Sequence, residues 1–444
     1  MSEETVVEYV LAAQWLIPVR PRGALAQHGL AIGGGQIRDL GPQQQLRSRY
    51  PAARWIELPH HALLPGLVNS HTHAAMTLLR GLADDLPLMT WLKQHIWPAE
   101  ARFVGPEFVA LGTQLAIAEM LRGGTTCFND MYFFPEAAAQ AVVESGIRAC
   151  LGQVVIDFPT AQSRDANDAL RRAETQAVSL RALPRIRQSV APHAPYTVQD
   201  PALRAAKELA ESLDLFLHMH VHETAHEVEE AIAQDGRRPL QRLDELGLLD
   251  DRFLAVHMTQ LTAEDLELVR QRGLRLAHCP ESNLKLGSGI AAVDRWQAAG
   301  IPFGIGTDGA ASNNDLDMFG EMRSAALLAK GRDGDTTALA AAAALEAATL
   351  GGAVACGWDD TIGTLEPGKA ADCIAVDLDH PATQPLYDPI SQLVYCAGRD
   401  QVSHVWVNGQ LLVENADWTR LDWSHLKSQA QEWARRIAAK DRQT

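Results

Sequence analysis

Between residues 63 and 308 the chain repeats one unit eight times, a short apolar run followed by a stretch with helical periodicity. The runs 63–70, 125–130, 149–157, 186–193, 215–220, 253–257, 274–278 and 301–308 have the length and content of buried strands. Residues 106–122, 200–213 and 262–272 are among the helices between them. Strands joined by helical crossovers run parallel and are covered on both faces. Eight such units predict an α/β fold, a closed (β/α)8 barrel of the TIM type. A doubly wound open sheet is the alternative, but no Gly-rich dinucleotide fingerprint follows any of these runs.

The two ends read differently. Residues 5–11, 30–32, 36–40 and 55–58 are short β-type runs punctuated by Gly33, Gly34 and Gly35. Residues 373–377, 404–407 and 410–413 repeat the pattern, the last two joined by Asn408-Gly409, a hairpin signal because both turn positions tolerate positive φ. The expected organisation is a small discontinuous β-sandwich domain built from both chain ends. Its N-terminal part is 1–62, the barrel is 63–366, and 367–444 supplies its C-terminal part plus a terminal helix.

Charge narrows the partners. With 39 Lys and Arg against 55 Asp and Glu, the formal charge is −16. Such a surface repels nucleic-acid polymers and anionic membranes, while a small nucleoside of little charge stays admissible. No window holds 18 uninterrupted apolar residues, and the start at residues 1–4 is acidic where a secretory signal is basic, so a cytoplasmic location is expected. The six cysteines, Cys127, Cys150, Cys279, Cys356, Cys373 and Cys396, form no C-x-x-C pair and read mostly as buried thiols with little bearing on function.

In barrels of this kind the chemistry sits at the C-terminal ends of the strands, and five of the eight runs end in, or lead into, His or Asp. His71 and His73 stand two apart after an apolar run, so both imidazoles can face one ion. His218, His220 and His222 alternate on one face, and their position leaves His220 and His222 as rivals for the mouth. Glu223 follows directly, placed as a proton carrier, although the run also reads as a simple strand cap. His257 ends another run, as a structural histidine or as a partner of a metal-activated water. Asp308 ends the last, where burial is costly without a partner or a cation. Two histidines at 71–73, one from the later cluster and Asp308 offer three nitrogens and one oxygen, a set suited to Zn2+ with an open position; Fe2+ or Mn2+ suits the same donors. Residues 278–283 shape the site. Cys279 does not begin a C-x-x-C, which argues against the small cytidine-deaminase type of zinc site.

Together these residues resemble the amidohydrolase superfamily. The similarity runs through 65–73 (PGLVNSHTH), 220–224 (HVHET), 306–314 (GTDGAASNN) and 363–372 (GTLEPGKAAD), in the superfamily's order and over nearly the whole chain. Residues 76–81 (MTLLRG), 129–133 (NDMYF), 192–196 (PHAPY) and 282–287 (SNLKLG) are similar to the 5'-methylthioadenosine/S-adenosylhomocysteine deaminase branch. By that resemblance His71, His73, His220 and Asp308 hold one Zn2+ per subunit, which selects His220 over His222. Glu223 is then the proton shuttle, His257 steers the attacking oxygen, and Asp308 takes the water's proton. Substrate contacts fall at Trp91, Glu100, His193 and Glu223. Without the resemblance Trp91 and Glu100 read as an ordinary helix face; with it, Glu100 suits the ribose, because a carboxylate accepts two hydrogen bonds from a vicinal diol.

The implied activity is hydrolytic deamination at C6 of adenine in a small nucleoside, releasing ammonia, with a place in purine salvage and a homo-oligomeric assembly. Where branch members grip the homocysteine carboxylate with an arginine from the third strand, this chain has Gln153, and Arg164 is the other cation of that segment. A neutral amide cannot replace a guanidinium fork. The expected substrate is therefore 5'-methylthioadenosine, then adenosine, with S-adenosylhomocysteine disfavoured. The same machinery acting on guanine, cytosine or a triazine is the nearest rival. A non-catalytic scaffold barrel is a remote one, since it predicts gaps in a ligand set that is complete here.

Overall fold

The computed structural model describes residues 6–441; the acidic start at 1–4, on which the cytoplasmic expectation leans, lies outside them. Four strands open the chain: β1 (Tyr9–Leu16), β2 (Leu25–Gly33), β3 (Gln36–Pro42) and β4 (Arg54–Pro65). Eight more follow, interleaved with helices: β5 (Leu67–Thr72), β6 (Thr125–Tyr132), β7 (Arg148–Val155), β8 (Ile186–Pro192), β9 (Phe216–Val221), β10 (Phe253–His257), β11 (Arg275–His278) and β12 (Phe303–Ile305). They pair in chain order, all parallel, as the eight repeated units predict. β12 lies against β5 and brings the barrel round. Glycine makes that approach possible: a β-carbon on Gly306 would stand 2.7 Å from the His71 amide nitrogen. Asp308 N then donates to His71 O at 3.0 Å.

The expected strand 63–70 is in fact two. β4 runs through Leu63 and Leu64, paired with β13 (Cys373–Asp377) in the other sheet, and the barrel begins afresh at Leu67. The break falls at Gly66, where a β-carbon would sit 2.0 Å from Thr126 Oγ1, so only a hydrogen fits as the chain steps between sheets. The run 301–308 is a strand only over its middle, because its end turns to present Asp308.

Strands from both ends make the second sheet, which β14 (Val402–Val407), β15 (Gln410–Glu414) and β16 (Asp417–Trp418) complete in the order β16-β15-β14-β13-β4-β1-β2-β3. It rolls onto itself: Gln36 of β3 bridges Ala370, and Tyr9 Oη donates to Gly409 O at 2.5 Å. Leu11, Leu30, Ile37, Cys373 and Trp406 fill the space so enclosed. This is the sandwich that the bracketing β runs imply.

A buried ion pair ties this sheet to the barrel. Arg148 of β7 donates from Nε and Nη2 to both oxygens of Asp372 at 2.9 and 3.0 Å, and Asp372 also accepts the Asn408 amide at 2.7 Å. The helices begin and end where local chemistry directs. Pro106 opens Pro106–Arg122, and Thr262 caps Ala263–Arg272 by accepting from Asp265 N.

Candidate metal centre and active site

The backbone turns left-handed at the ends of three barrel strands, at His222 (φ 53°), His257 (φ 74°) and Asp308 (φ 61°). Such turns are costly for these residues and persist only where the surroundings hold them. Here they break the alternation of the strands and redirect side chains. His222 is carried out of the mouth, and its Nε2 accepts from Leu240 N at 3.1 Å. His220, still within β9, faces inward. The rivalry that spacing left open is thus decided by backbone conformation.

His71, His73, His220 and Asp308 come together, one potential ligand atom from each lying within 4.8 Å of all the others. Asp308 Oδ1 is 3.2 Å from both His71 Nε2 and His73 Nε2, and His220 Nε2 is 3.2 Å from His71 Nε2. The outer nitrogens are all engaged. His73 Nδ1 donates to Met131 O (2.6 Å) and His220 Nδ1 to His193 O (2.7 Å), while His71 Nδ1 shares a proton with buried His218 Nε2 at 2.9 Å. A carbonyl can only accept, so His73 and His220 carry their protons on Nδ1 and turn their Nε2 lone pairs to the centre. Asp308 Oδ2 is held by Ser282 Oγ (2.6 Å) and Ser312 Oγ (2.9 Å), whereas its buried Oδ1 receives no hydrogen bond.

Converging lone pairs with an unsatisfied carboxylate oxygen fit a divalent cation of the zinc type. Protonation follows the same geometry. Burial pushes His71 down to about 4 and His220 well below the usual imidazole value. Burial also opposes charge on His73, but the Asp308 carboxylate beside its Nε2 prevails, lifting it to about 9, so that a cation bound there takes the place of a proton on Nε2. Asp308, despite burial, is held well below the ordinary carboxyl range by His71 and His73.

The predicted helpers surround this centre. Glu223 is buried, which raises its carboxyl, and its Oε2 lies 3.8 Å from His257 Nε2. His257 Nδ1 donates to Asn283 Oδ1 at 2.8 Å, leaving Nε2 for the cavity. Trp91 closes the helix Leu88–Trp91, Glu100 lies in Trp97–Phe103, and both line the same cavity as His193 and Glu223. Burial lifts Glu100 to about 7, against the pull of the Tyr132 hydroxyl that donates to it at 2.8 Å. His193 is kept neutral by burial, down to about 3.

The outer wall of the cavity is apolar, with the Trp97 and Phe158 rings 5.3 Å apart, and among the described residues no Lys or Arg lines it. Gln153 is not in that wall; its amide donates to Gln162 Oε1 and Val154 O, both at 3.1 Å, while Val154 and Ile156 face the cavity. The Arg164 side chain is 80% exposed and reaches Asp168.

Sequence reasoning missed several supports. Ser282, Asn283, Ser312 and Tyr132 lie inside segments it singled out, but nothing in their spacing gave each a partner. Glu227 lies outside those segments; its carboxylate accepts the amides of His222 (3.0 Å) and Glu223 (2.7 Å), fixing the backbone that carries the proton shuttle candidate.

Comparison with known proteins agrees in extent. The amidohydrolase family model matches residues 62–412. A 5-methylthioadenosine/S-adenosylhomocysteine deaminase of Teredinibacter turnerae is 45% identical over 441 residues, 99% of this chain and 100% of that protein. One of the same name from Saccharophagus degradans is 45% identical, covering 99% of each. A crystal structure of an adenosine deaminase from Xanthomonas campestris with bound zinc superposes with a TM-score of 0.96 at 50% identity, covering 98% of this chain and 99% of that one. With its barrel, a family match over residues 62–412 and relatives 45% identical along nearly its whole length, the chain belongs to the amidohydrolase family.

Proposed function

We propose that the protein is a zinc-dependent deaminase of adenine nucleosides that converts 5'-methylthioadenosine, and adenosine, to the inosine-type product and ammonia. The single observation that carries this is the cavity itself. Three imidazoles and the Asp308 carboxylate converge there, the buried Glu223 and Glu100 line the same cavity, and the rest of its wall includes Trp97, Phe158, Val154 and Ile156. Named relatives that act on such nucleosides support the reading.

His71, His73, His220 and Asp308 would hold Zn2+, which when bound supplies an activated water at neutral pH. The Asp308 carboxylate, oriented by Ser282 and Ser312, would take that water's proton. Glu223, whose burial favours the protonated form at rest, delivers a proton to ring N1 as the C6 carbon becomes tetrahedral, so that negative charge does not accumulate on the purine. His257, fixed by Asn283, hydrogen-bonds the attacking oxygen. As the C6–N bond breaks, Asp308, or Glu223 once it has taken the C6 hydroxyl proton, passes a proton to the departing amine, leaving the C6 carbonyl and ammonia. Glu100 accepts from the ribose hydroxyls, and Trp91 and His193 bound the base and sugar.

The tail preference rests on the wall rather than on Gln153. With no Lys or Arg among the described residues that line the cavity, the carboxylate of a homocysteine tail would be desolvated without a guanidinium or ammonium partner, a cost that a methylthio group avoids. The proposal includes a cytoplasmic setting, a role in purine salvage and a homo-oligomeric assembly. Among the described residues no helix is long and apolar enough to cross a membrane.

The test is a comparison of kcat/KM for adenosine, 5'-methylthioadenosine and S-adenosylhomocysteine on zinc-loaded protein, followed by ultraviolet absorbance. The methylthio nucleoside is expected to be the best substrate. A preference for S-adenosylhomocysteine would overturn the tail reading, and absence of turnover on all three would overturn the function.

A further inference from the structure

The opposite mouth of the barrel contains a second cavity of about 450 Å³ that the chemistry above does not use. It opens where β8 to β11 begin. Arg187 stands at the start of β8, Phe216 opens β9, Arg252 directly precedes β10 and Arg275 opens β11; Arg181 and Asp214 complete its charged lining. Four guanidinium groups thus face one lining carboxylate in a chain whose overall charge is −16.

Two of the arginines are pinned in place near each other. The guanidinium carbon of Arg187 lies over the Trp358 ring, 4.1 Å from its centre, and that of Arg148 lies over the same ring at 4.6 Å. The Nη1 atoms of Arg187 and Arg275 each lie 3.5 Å from one point, the position a β-carbon on Gly357 would take. Gly357 has φ +67° and no side chain, so its backbone leaves this point open between two cations. Partnering is incomplete. Arg252 pairs with Asp214 at 2.6 Å and Arg187 with the 70% exposed Asp360 at 3.2 Å. Arg181 and Arg275 donate to backbone carbonyls, of Leu213 and Val354. Like charges gathered in a concave site raise the local potential and favour an anion, and planar forks of N–H donors match tetrahedral oxyanions.

We propose that this cavity is a binding site for a phosphate-class oxyanion, gripped chiefly by Arg187 and Arg275, either inorganic phosphate or the phosphate group of a small organic phosphate whose apolar part rests on Phe216. The site lies across the barrel from the metal centre and is independent of the deaminase reading.

Calorimetric titration of the zinc-loaded protein at physiological ionic strength, with inorganic phosphate and separately with phenyl phosphate, tests it. Saturable binding of one equivalent is expected, and the tighter of the two probes identifies the source of the phosphate group. Removing one charged fork in Arg275→Gln should weaken binding about tenfold or more, while kcat/KM at the distant site stays unchanged. Asp214→Asn, which deletes the lining carboxylate at a left-handed position that Asn tolerates, should tighten it. Opposite signs from two conservative variants would not arise from general destabilisation. Absence of saturable binding of either probe overturns the proposal, as does binding that Arg275→Gln leaves unchanged, the result for phosphate held at the metal centre.

Discussion

Replacing Glu100 by Gln should make the protein more stable and less active, and both effects follow from the same burial. The carboxyl is lifted from 4.5 to about 7 by its surroundings, with the Tyr132 hydroxyl pulling the other way. An acid whose folded pKa is raised holds its proton more tightly folded than unfolded, so its ionisation opposes folding. That penalty is absent below about pH 4.5, grows as pH rises through the interval, and is complete above about pH 7, where it amounts to about 3 kcal/mol. An amide carries no such penalty and still accepts from Tyr132. Urea melts of Glu100→Gln should therefore show a gain of about 3 kcal/mol over the parent at pH 8 and under about 1 kcal/mol at pH 5. Activity moves oppositely. The amide offers one acceptor where the carboxylate offers two, and losing a charged hydrogen bond to the ribose at a desolvated site costs about 2 to 3 kcal/mol, roughly 30- to 150-fold in kcat/KM. A stability difference that does not change between pH 5 and pH 8 would refute the burial argument. A kcat/KM within about threefold of the parent would refute the ribose contact.

Other perturbations separate the remaining roles. Glu223→Gln should keep full zinc content by elemental analysis and lose most turnover, since an amide relays no proton; near-normal turnover would remove Glu223 from the chemistry. Ser282→Ala frees Asp308 Oδ2 from its shorter bond, and competition with a chelator should show zinc affinity reduced by about 10- to 100-fold; unchanged affinity would show that Ser312 alone positions the carboxylate. Asp372→Ala leaves the Arg148 guanidinium buried without its pair, and chemical denaturation should report a loss of about 3 to 5 kcal/mol. A loss under about 1 kcal/mol would mean that this ion pair does not hold the two sheets together.

The barrel was legible because its period is written in the apolar runs, and parallel strands buried on both faces leave little else for such a pattern to become. Its seams were less so. The junction at Gly66 looked like the interior of a strand, since apolar residues continue on both sides and only contact with Thr126 forces the break. Among the site residues, His71, His73 and Asp308 could be named from strand-end position. His220 could not be chosen over His222, because the deciding fact is the positive φ of His222, a backbone property its own side chain does not encode. Trp91 and Glu100 sit on helices with no distinguishing spacing, and only the family resemblance drew attention to them. Ser282 and Asn283 act on partners 26 residues away in sequence, which no local pattern reports, whereas Ser312 and Glu227 act on groups only four or five residues back, through turns whose geometry the spacing does not show.

The central claim is that four side chains from three strand ends gather one zinc ion whose open position does the chemistry. The most direct measurement is metal analysis and crystallography of zinc-reconstituted protein, with His71→Ala alongside. One zinc per chain is predicted, about 2.0–2.2 Å from His71 Nε2, His73 Nε2, His220 Nε2 and Asp308 Oδ1, with metal content lost in the variant. An ion bound through His222, or full zinc occupancy in His71→Ala, would contradict it.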